Sequence, residues 1–295
     1  MFALFRLDRD TIKLLRIPFS LLLMPIFLLA ISQASELNLQ TTIWSFFIIH
    51  LLVYPASNGY NSYIDRDESS IGGIEKPPMP TIQLFYTTLV MDALAIVLSL
   101  IFVKPLFAIS ILLYILASRA YSSKQIRLKK YPIIGFLIVV IFQGGFTYFM
   151  SYVGISDLKF DLNLTNILIM TACSLQIAGA YPLTQIYQHK EDLKDGVVTL
   201  SYKLGYKGTF AFTAFMFALC NIFYFLYFQA TKTELSFYIL QLFFLPIIAY
   251  FTWWLLKVLK NVNEANFKNT MRMNLIAAMG MNACFTLLIY LKFKL

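Results

Sequence analysis

The chain has 295 residues, of which 59% are hydrophobic and only 13% charged, and its mean hydropathy is +0.70. Soluble domains carry about 25% charged residues, so this composition excludes a water-soluble globular fold and points to helices that cross a bilayer. The formal charge of +9 is explained by cations gathered in the loops of one membrane side, so it gives no reason to invoke nucleic acid as a partner.

Nine apolar blocks follow one another along the chain, each near the roughly 20 residues that a transmembrane helix needs. The first, 12–32, comes after Arg6, Arg9, Lys13 and Arg16. It is longer than the apolar core of a secretory signal and more spans follow it, so it reads as a retained helix. Block 41–63 runs into a polar cluster, Asn58-Gly-Tyr-Asn61-Ser-Tyr-Ile-Asp65-Arg-Asp67-Glu68-Ser-Ser-Ile-Gly72-Gly73, then Glu75-Lys76-Pro77-Pro78. Asn58, Asn61 and Asp65 are spaced i, i+3, i+7 and share one face of a helix. If that helix runs on, Glu68 falls near the same face, Asp67 points away, and Gly72-Gly73 ends it.

Blocks 81–103 and 105–121 are separated only by Lys104-Pro105 and form a tight hairpin. Asp92 lies inside the former, where an ionisable side chain is costly: it is half of a structural pair, the sign of a shifted span boundary, or a functional group. The loop after the fourth block, Tyr121-Ser-Ser-Lys124-Gln-Ile-Arg127-Leu-Lys-Lys130, is basic. Block 132–153 holds Gln143 and block 164–188 holds Gln176; each either lines a cavity or joins helices by hydrogen bonds.

The sixth block leads into a second cluster, Thr184-Gln185-Ile-Tyr187-Gln188-His189-Lys190-Glu191-Asp192-Leu-Lys194-Asp195-Gly196, followed by Thr199. Gln188, Glu191, Asp192 and Asp195 are spaced i, i+3, i+4, i+7, again one face. His189 reads as a polar helix-end residue rather than a catalytic base. Blocks 209–229, 236–258 and 272–291 complete the set. Cys173, Cys220 and Cys284 all fall within spans and show no metal-ligand spacing, which makes them packing residues.

With the N-terminus on side one, nineteen of the 24 Lys and Arg fall on that side. Only Lys104, Lys159, Lys232, Lys292 and Lys294 fall on the other. The positive-inside rule then makes side one cytoplasmic and leaves the C-terminus outside. The connections 64–80, 122–131, 189–208 and 259–271 are cytoplasmic, whereas opposite loops such as 154–163 and 230–235 are short and bland. The chemistry therefore belongs to the cytoplasmic face.

Two faces of carboxylates and carboxamides at the ends of spans suit a hard cation with oxygen ligands. Mg²⁺ in particular keeps several waters and is shared between a few carboxylates and substrate phosphates. Lys76, Lys124, Arg127 and Lys190 are placed to take phosphate oxygens. Solvated helix caps are the plain alternative for either cluster, and two face-matched clusters on one side weigh against it. Acid clusters follow blocks two and six, and basic loops follow blocks four and eight. A four-helix unit used twice, plus a ninth helix, would set the acid faces opposite each other; repeats of this kind also occur in transporters.

At these residues the chain resembles the UbiA superfamily of intramembrane prenyltransferases along its whole length. The first family motif, NxxxDxxxD, is similar to Asn61-Ser-Tyr-Ile-Asp65-Arg-Asp-Glu-Ser69, with Pro77 following. The second, DxxxD with a later G-x-x-T and Leu-Gly, is similar to Gln188-His-Lys-Glu-Asp192, Gly196-Val-Val-Thr199 and Leu204-Gly205. Tyr121-Ser122 and Arg127-Leu128-Lys129 resemble the family's loop after helix four. The chain departs from the family at Ser69 and Gln188, where acids are missing, and at Ser62, where an optional one would stand. Asp67 or Glu68 would compensate in the first motif and Glu191 in the second.

The resemblance implies an all-α fold of nine helices around a central cavity, as one domain over 1–295. It implies Mg²⁺ held among Asn61, Asp65, Glu68, Glu191, Asp192 and Asp195, with Asp65 and Asp192 as the catalytic acids. Asn58, Lys76, Tyr121, Lys124, Arg127, Tyr187, Gln188 and Lys190 would bind substrate. The reaction would move a polyprenyl group from its diphosphate to a lipophilic, aromatic acceptor, in a bacterial plasma membrane with the site on the cytoplasmic side. A UbiA-type terpene cyclase shares the first step, and a small-anion transporter would use the basic loops without two metal-binding faces.

Overall fold

The computed structural model describes residues 7–294; Arg6, counted above among the flanking cations, lies outside the described residues. Among these residues nine helices are long and apolar enough to cross a membrane, matching the nine blocks. They are α1 (Arg9–Gln33), α2 (Leu39–Asp65), α3 (Ile82–Phe102), α4 (Pro105–Ser122), α5 (Pro132–Ile155) and α6 (Leu164–Gln185). After a short helix, α7 (His189–Lys194), come α8 (Leu200–Ala230), α9 (Glu234–Lys260) and α10 (Phe267–Lys294). The α3–α4 hairpin turns at Val103-Lys104, with Pro105 in the first turn of α4, where a missing N–H costs nothing.

The chain divides into two compact units, the first made of residues through Leu21 with Asn38–Leu128, the second of Leu22–Leu37 with Lys129 onward. The boundary falls inside α1, at its 3-10 turn Leu21–Leu23, and again between α4 and α5.

In the first unit, α1 begins with Asp8 capping Thr11 N at 2.7 Å and breaks at Arg16, whose backbone is left-handed (φ 51°). Leu14 and Leu15 of this segment pack with Leu84 of α3 and with Ile71 and Ile74 of the α2–α3 loop. Helix α2 widens to a π-helix over Phe47–Val53, just ahead of Pro55. Proline has no N–H for the carbonyl four residues back and crowds it, so the preceding turn loosens. Ser20 Oγ donates to the carbonyl of His50 in that turn, at 2.8 Å.

The second unit holds the rest of α1 with α5, α6, α8, α9 and α10. Helix α5 crosses α6 at Gly144-Gly145. A Cβ on Gly144 would stand 2.5 Å from Ser174 Cα, so no larger residue fits, and Gly145 N donates to Ser174 Oγ at 2.9 Å. Side-chain hydrogen bonds tie the other helices, as is common where lipid removes the hydrophobic drive between them. Tyr224 donates to Gln176 at 2.7 Å, Tyr227 to Gln33 at 3.1 Å, and Asn221 and Gln241 exchange a reciprocal pair. Gln176 thus joins helices. Cys173, Cys220 and Cys284 are buried free thiols.

Candidate active site

The first acid face sits on the last turns of α2. The helix does not run on past Asp65: Arg66 takes a left-handed conformation (φ 55°) and returns its N–H to Ser62 O at 3.0 Å. This corrects the expectation that would carry Glu68 around to the same face. Glu68 is exposed in a bend beyond the cap, and Gly72-Gly73 does not end a helix but forms the tip of a turn. Ile71 and Ile74 exchange two backbone hydrogen bonds of 2.9 Å across that tip. Burial of those two isoleucines against Leu14, Leu15 and Leu84 is the cause, because it draws the chain back immediately after Asp65.

Further contacts hold this loop. Arg16 donates to Asn58 O at 3.0 Å and to Gly72 O at 3.3 Å, and Lys13 reaches Lys76 O at 3.2 Å. The Lys76 side chain itself is exposed. On the face, Asn61 Nδ2 donates to Ser122 Oγ at 2.9 Å, which leaves its Oδ1 as the oxygen for another partner. Asp65, half-buried, follows one turn later. Asn58 lies one turn earlier, and its Nδ2 is buried with no hydrogen-bond partner, a donor that a phosphate oxygen would satisfy. Tyr121, in the last turn of α4, is half-buried; in the loop that follows, Arg127 is half-buried and Lys124 exposed.

The second acid face is carried by α7. Helix α6 stops at Gln185, three residues short of the expected 188, and a turn closes with Gln188 N on Gln185 O at 3.0 Å. Gln188 is the N-cap of α7, and its carbonyl accepts from the N–H of Glu191 and of Asp192, both at 2.9 Å. Glu191 and Asp192 occupy the first turn, half-buried, while Asp195 is the exposed C-cap outside the helix. Glu191 is bonded to Lys194 at 2.8 Å. Lys190 is exposed, and the half-buried Tyr187 sets its ring edge-on to Phe267 at 5.3 Å.

The glycine and threonine of the second motif acquire physical roles here. Gly196 reverses the chain after α7 (φ 69°), and Thr199 caps α8 by accepting from Tyr202 N at 3.2 Å. Gly205 then breaks α8 with φ 66° and ψ 176°, a conformation essentially reserved to glycine. The break lets Ser201 meet His189 Nε2 at 2.8 Å, and Thr209 bonds Ser201 Oγ at 3.1 Å and Gly205 O at 2.8 Å. Burial pushes the His189 imidazole down to about 4, so it is neutral near pH 7 and acts as a strut between α7 and α8.

The donor set fits Mg²⁺. Among the described residues no three His, Cys, Asp or Glu side chains come together as a metal cage. The carboxamide and carboxylate oxygens on each face are the hard donors that Mg²⁺ shares with water and substrate oxygens. Sequence reasoning passed over Gln185. Its Oε1 is buried without a partner, its Nε2 donates to Tyr181 OH at 2.9 Å, and both residues line a small cleft with Lys129, Phe136 and Thr199. The available signal was its spacing, three residues before Gln188 and seven before Asp192. Asp92 is paired with Arg119 of α4.

Comparison with known proteins gives a consistent fold. The model of the UbiA prenyltransferase family matches residues 21–276, and no curated protein matches. A UbiA homologue from Aeropyrum pernix K1, in its apo form, superposes with a TM-score of 0.69 at 18% identity, covering 92% of this chain and 98% of that one. A UbiA homologue from Archaeoglobus fulgidus bound to DMAPP and Mg²⁺ gives 0.69 at 14% identity, over 95% and 99%. A digeranylgeranylglyceryl phosphate synthase gives 0.61 at 20% identity, over 97% and 99%.

Proposed function

The chain belongs to the UbiA prenyltransferase family, and from that premise we propose that it moves a polyprenyl chain from its diphosphate to a lipophilic, aromatic acceptor with the help of Mg²⁺. The observation that carries this reading is the register of α2. Ser122 holds the Asn61 amide nitrogen, so that the amide oxygen and Asp65 offer hard ligands beside the orphaned Asn58 nitrogen.

On the first acid face Asn61 and Asp65, and on the second Glu191 and Asp192, are the residues that would each take part in holding Mg²⁺. When bound, the ion neutralises the diphosphate and makes it a better leaving group. Lys76, Lys124, Arg127 and Lys190 add cationic donors for its oxygens, and Asn58, Tyr121, Tyr187 and Gln188 add neutral ones. The C1–O bond breaks with its electron pair passing to the diphosphate. The allylic cation is kept from water by the apolar helices and steadied by aromatic ring faces. An electron-rich carbon of the acceptor bonds to C1 and then loses its proton to the released diphosphate or to water. The DMAPP and Mg²⁺ bound by the Archaeoglobus homologue support the donor class.

The test is product analysis with purified protein, Mg²⁺, and geranyl, farnesyl and geranylgeranyl diphosphates, each offered with phenols and quinone precursors. A prenylated acceptor and stoichiometric diphosphate are expected. Diphosphate release giving a cyclic hydrocarbon without any acceptor would make the chain a cyclase instead, and no release from any donor would end the enzyme reading.

The charge bias of nineteen cations against five supports a cytoplasmic position for both acid faces. Cysteine labelling at Asp195 and Asp157 is expected to report opposite sides of the membrane. Labelling of both from one side would overturn that topology.

A further inference from the structure

Inside the first unit, Arg119 of α4 and Asp92 of α3 form an ion pair whose side chains are 16% and 12% exposed. Arg119 Nε donates to Asp92 Oδ2 at 3.0 Å, Nη2 donates to the same oxygen, and Nη2 also donates to Thr88 O at 3.4 Å. The guanidinium carbon lies 3.9 Å from the centre of the Tyr60 ring. Nη1 is buried without a partner.

Charges inside a span are costly, and well-packed apolar residues would join α3 to α4 at least as firmly. An arginine that leaves one nitrogen unsatisfied is not arranged for the strongest possible pairing. What the arrangement achieves is orientation, because the planar fork is clamped on one edge while its face rests on Tyr60. The next residue of α2 is Asn61, which donates to Ser122, three residues beyond Arg119 and on the same face of α4. Ser57 and Ser118 extend the seam with a hydrogen bond of 2.6 Å. Residues 118, 119 and 122 of α4 thus meet residues 57, 60 and 61 of α2.

We propose that the Asp92–Arg119 pair is a positioning device for the reaction: through the Tyr60 ring it fixes the rotation of the last turns of α2, and so the direction in which Asn61 and Asp65 present their oxygens. The proposal rests on the reading of those two residues as ligands for Mg²⁺. Neither Asp92 nor Arg119 touches substrate in it. Their effect passes through Tyr60 and the α2–α4 seam.

The experiment compares Asp92→Asn, Arg119→Met, the double variant Asp92→Leu with Arg119→Met, Tyr60→Phe and Tyr60→Leu. It reads thermal stability in detergent, the Mg²⁺ requirement for diphosphate release, and Mn²⁺ affinity by electron paramagnetic resonance with inorganic pyrophosphate present. Each single charge removal strands a buried partner and lowers stability; the double variant regains it. The double variant is nevertheless expected to bind Mn²⁺ about tenfold more weakly and to need about tenfold more Mg²⁺, the usual cost of losing a group that orients a ligand. Tyr60→Leu behaves likewise, and Tyr60→Phe, which keeps the ring face, restores wild-type affinity.

Wild-type Mn²⁺ affinity in a stable double variant would reduce the pair to a helix fastener and overturn the proposal. Should the double variant not fold, equal affinity in Tyr60→Leu and Tyr60→Phe would overturn it as well. A wild-type protein that binds no Mn²⁺ would bring down the metal reading itself, and this proposal with it.

Discussion

Replacing Asp65 or Asp192 by Ala is expected to lower diphosphate release about a thousandfold, equivalent to about 4 kcal/mol of transition-state stabilisation. Each is the acid kept from its motif, and each is positioned by backbone features that the substitution leaves intact. For Asp65 these are the end of α2 and the left-handed Arg66 cap. For Asp192 they are its N–H on Gln188 O at 2.9 Å and its carbonyl, which accepts Val197 N at 2.7 Å. Both side chains are half-buried at helix ends, so both variants should be recovered as folded membrane protein. Glu68→Gln is the contrast: its exposed position past the cap predicts less than about a twofold change in the Mg²⁺ requirement, the size of a surface charge effect. The measurement is a Mg²⁺ titration of diphosphate release for the three variants, alongside size-exclusion profiles in detergent. Near wild-type turnover in both alanine variants would show that the two motifs are misassigned.

The spans were legible because a bilayer leaves the backbone few options, and a run of some 20 apolar residues states its own fold. Their ends were less so. Hydropathy starts the seventh span at 209, yet α8 begins at Leu200, because Ser201, Lys203 and Lys207 make a helical stretch look like a loop. The end of α2 carries no glycine or proline to mark it. It is set by Ile71 and Ile74 finding Leu14, Leu15 and Leu84, contacts that no local pattern announces. Asp92 could be recognised as anomalous, but its partner could not be named, since Arg119 lies 27 residues on, near the end of another span. The shared face of Asn58, Asn61 and Asp65 was legible as an i, i+3, i+7 spacing, whereas the helix of the second cluster carries only Glu191 and Asp192, with Gln188 as its N-cap and Asp195 beyond its end. The Ser122 contact that decides which atom of Asn61 is available depends on a helix 61 residues away in sequence.

Gly205→Ala is expected to reduce diphosphate release about ten- to a hundredfold and lower the melting temperature by a few degrees, consistent with a backbone strain of about 1–3 kcal/mol. A Cβ at this position would meet nothing within 4 Å, so the penalty is purely conformational. With φ at 66° and ψ at 176°, a side-chain-bearing residue relieves the strain by rotating toward helical angles, which straightens α8 through its break. Straightening moves Ser201 away from His189 Nε2, now 2.8 Å distant, and parts it from Thr209, whose hydroxyl meets Ser201 Oγ and Ser201 O at 3.1 Å across the break. His189 is the first residue of α7, two positions before Glu191 and three before Asp192, so the second acid face loses its brace. Gly280→Ala in α10 is the control. Its new Cβ would make an ordinary contact of 3.5 Å with Ile247, and a helical glycine gains from alanine. Stability and Mg²⁺-dependent diphosphate release should therefore stay at or above wild type in the control and fall together in Gly205→Ala. Equal behaviour of the two variants would mean that the break in α8 does not hold the acid-bearing turn in place.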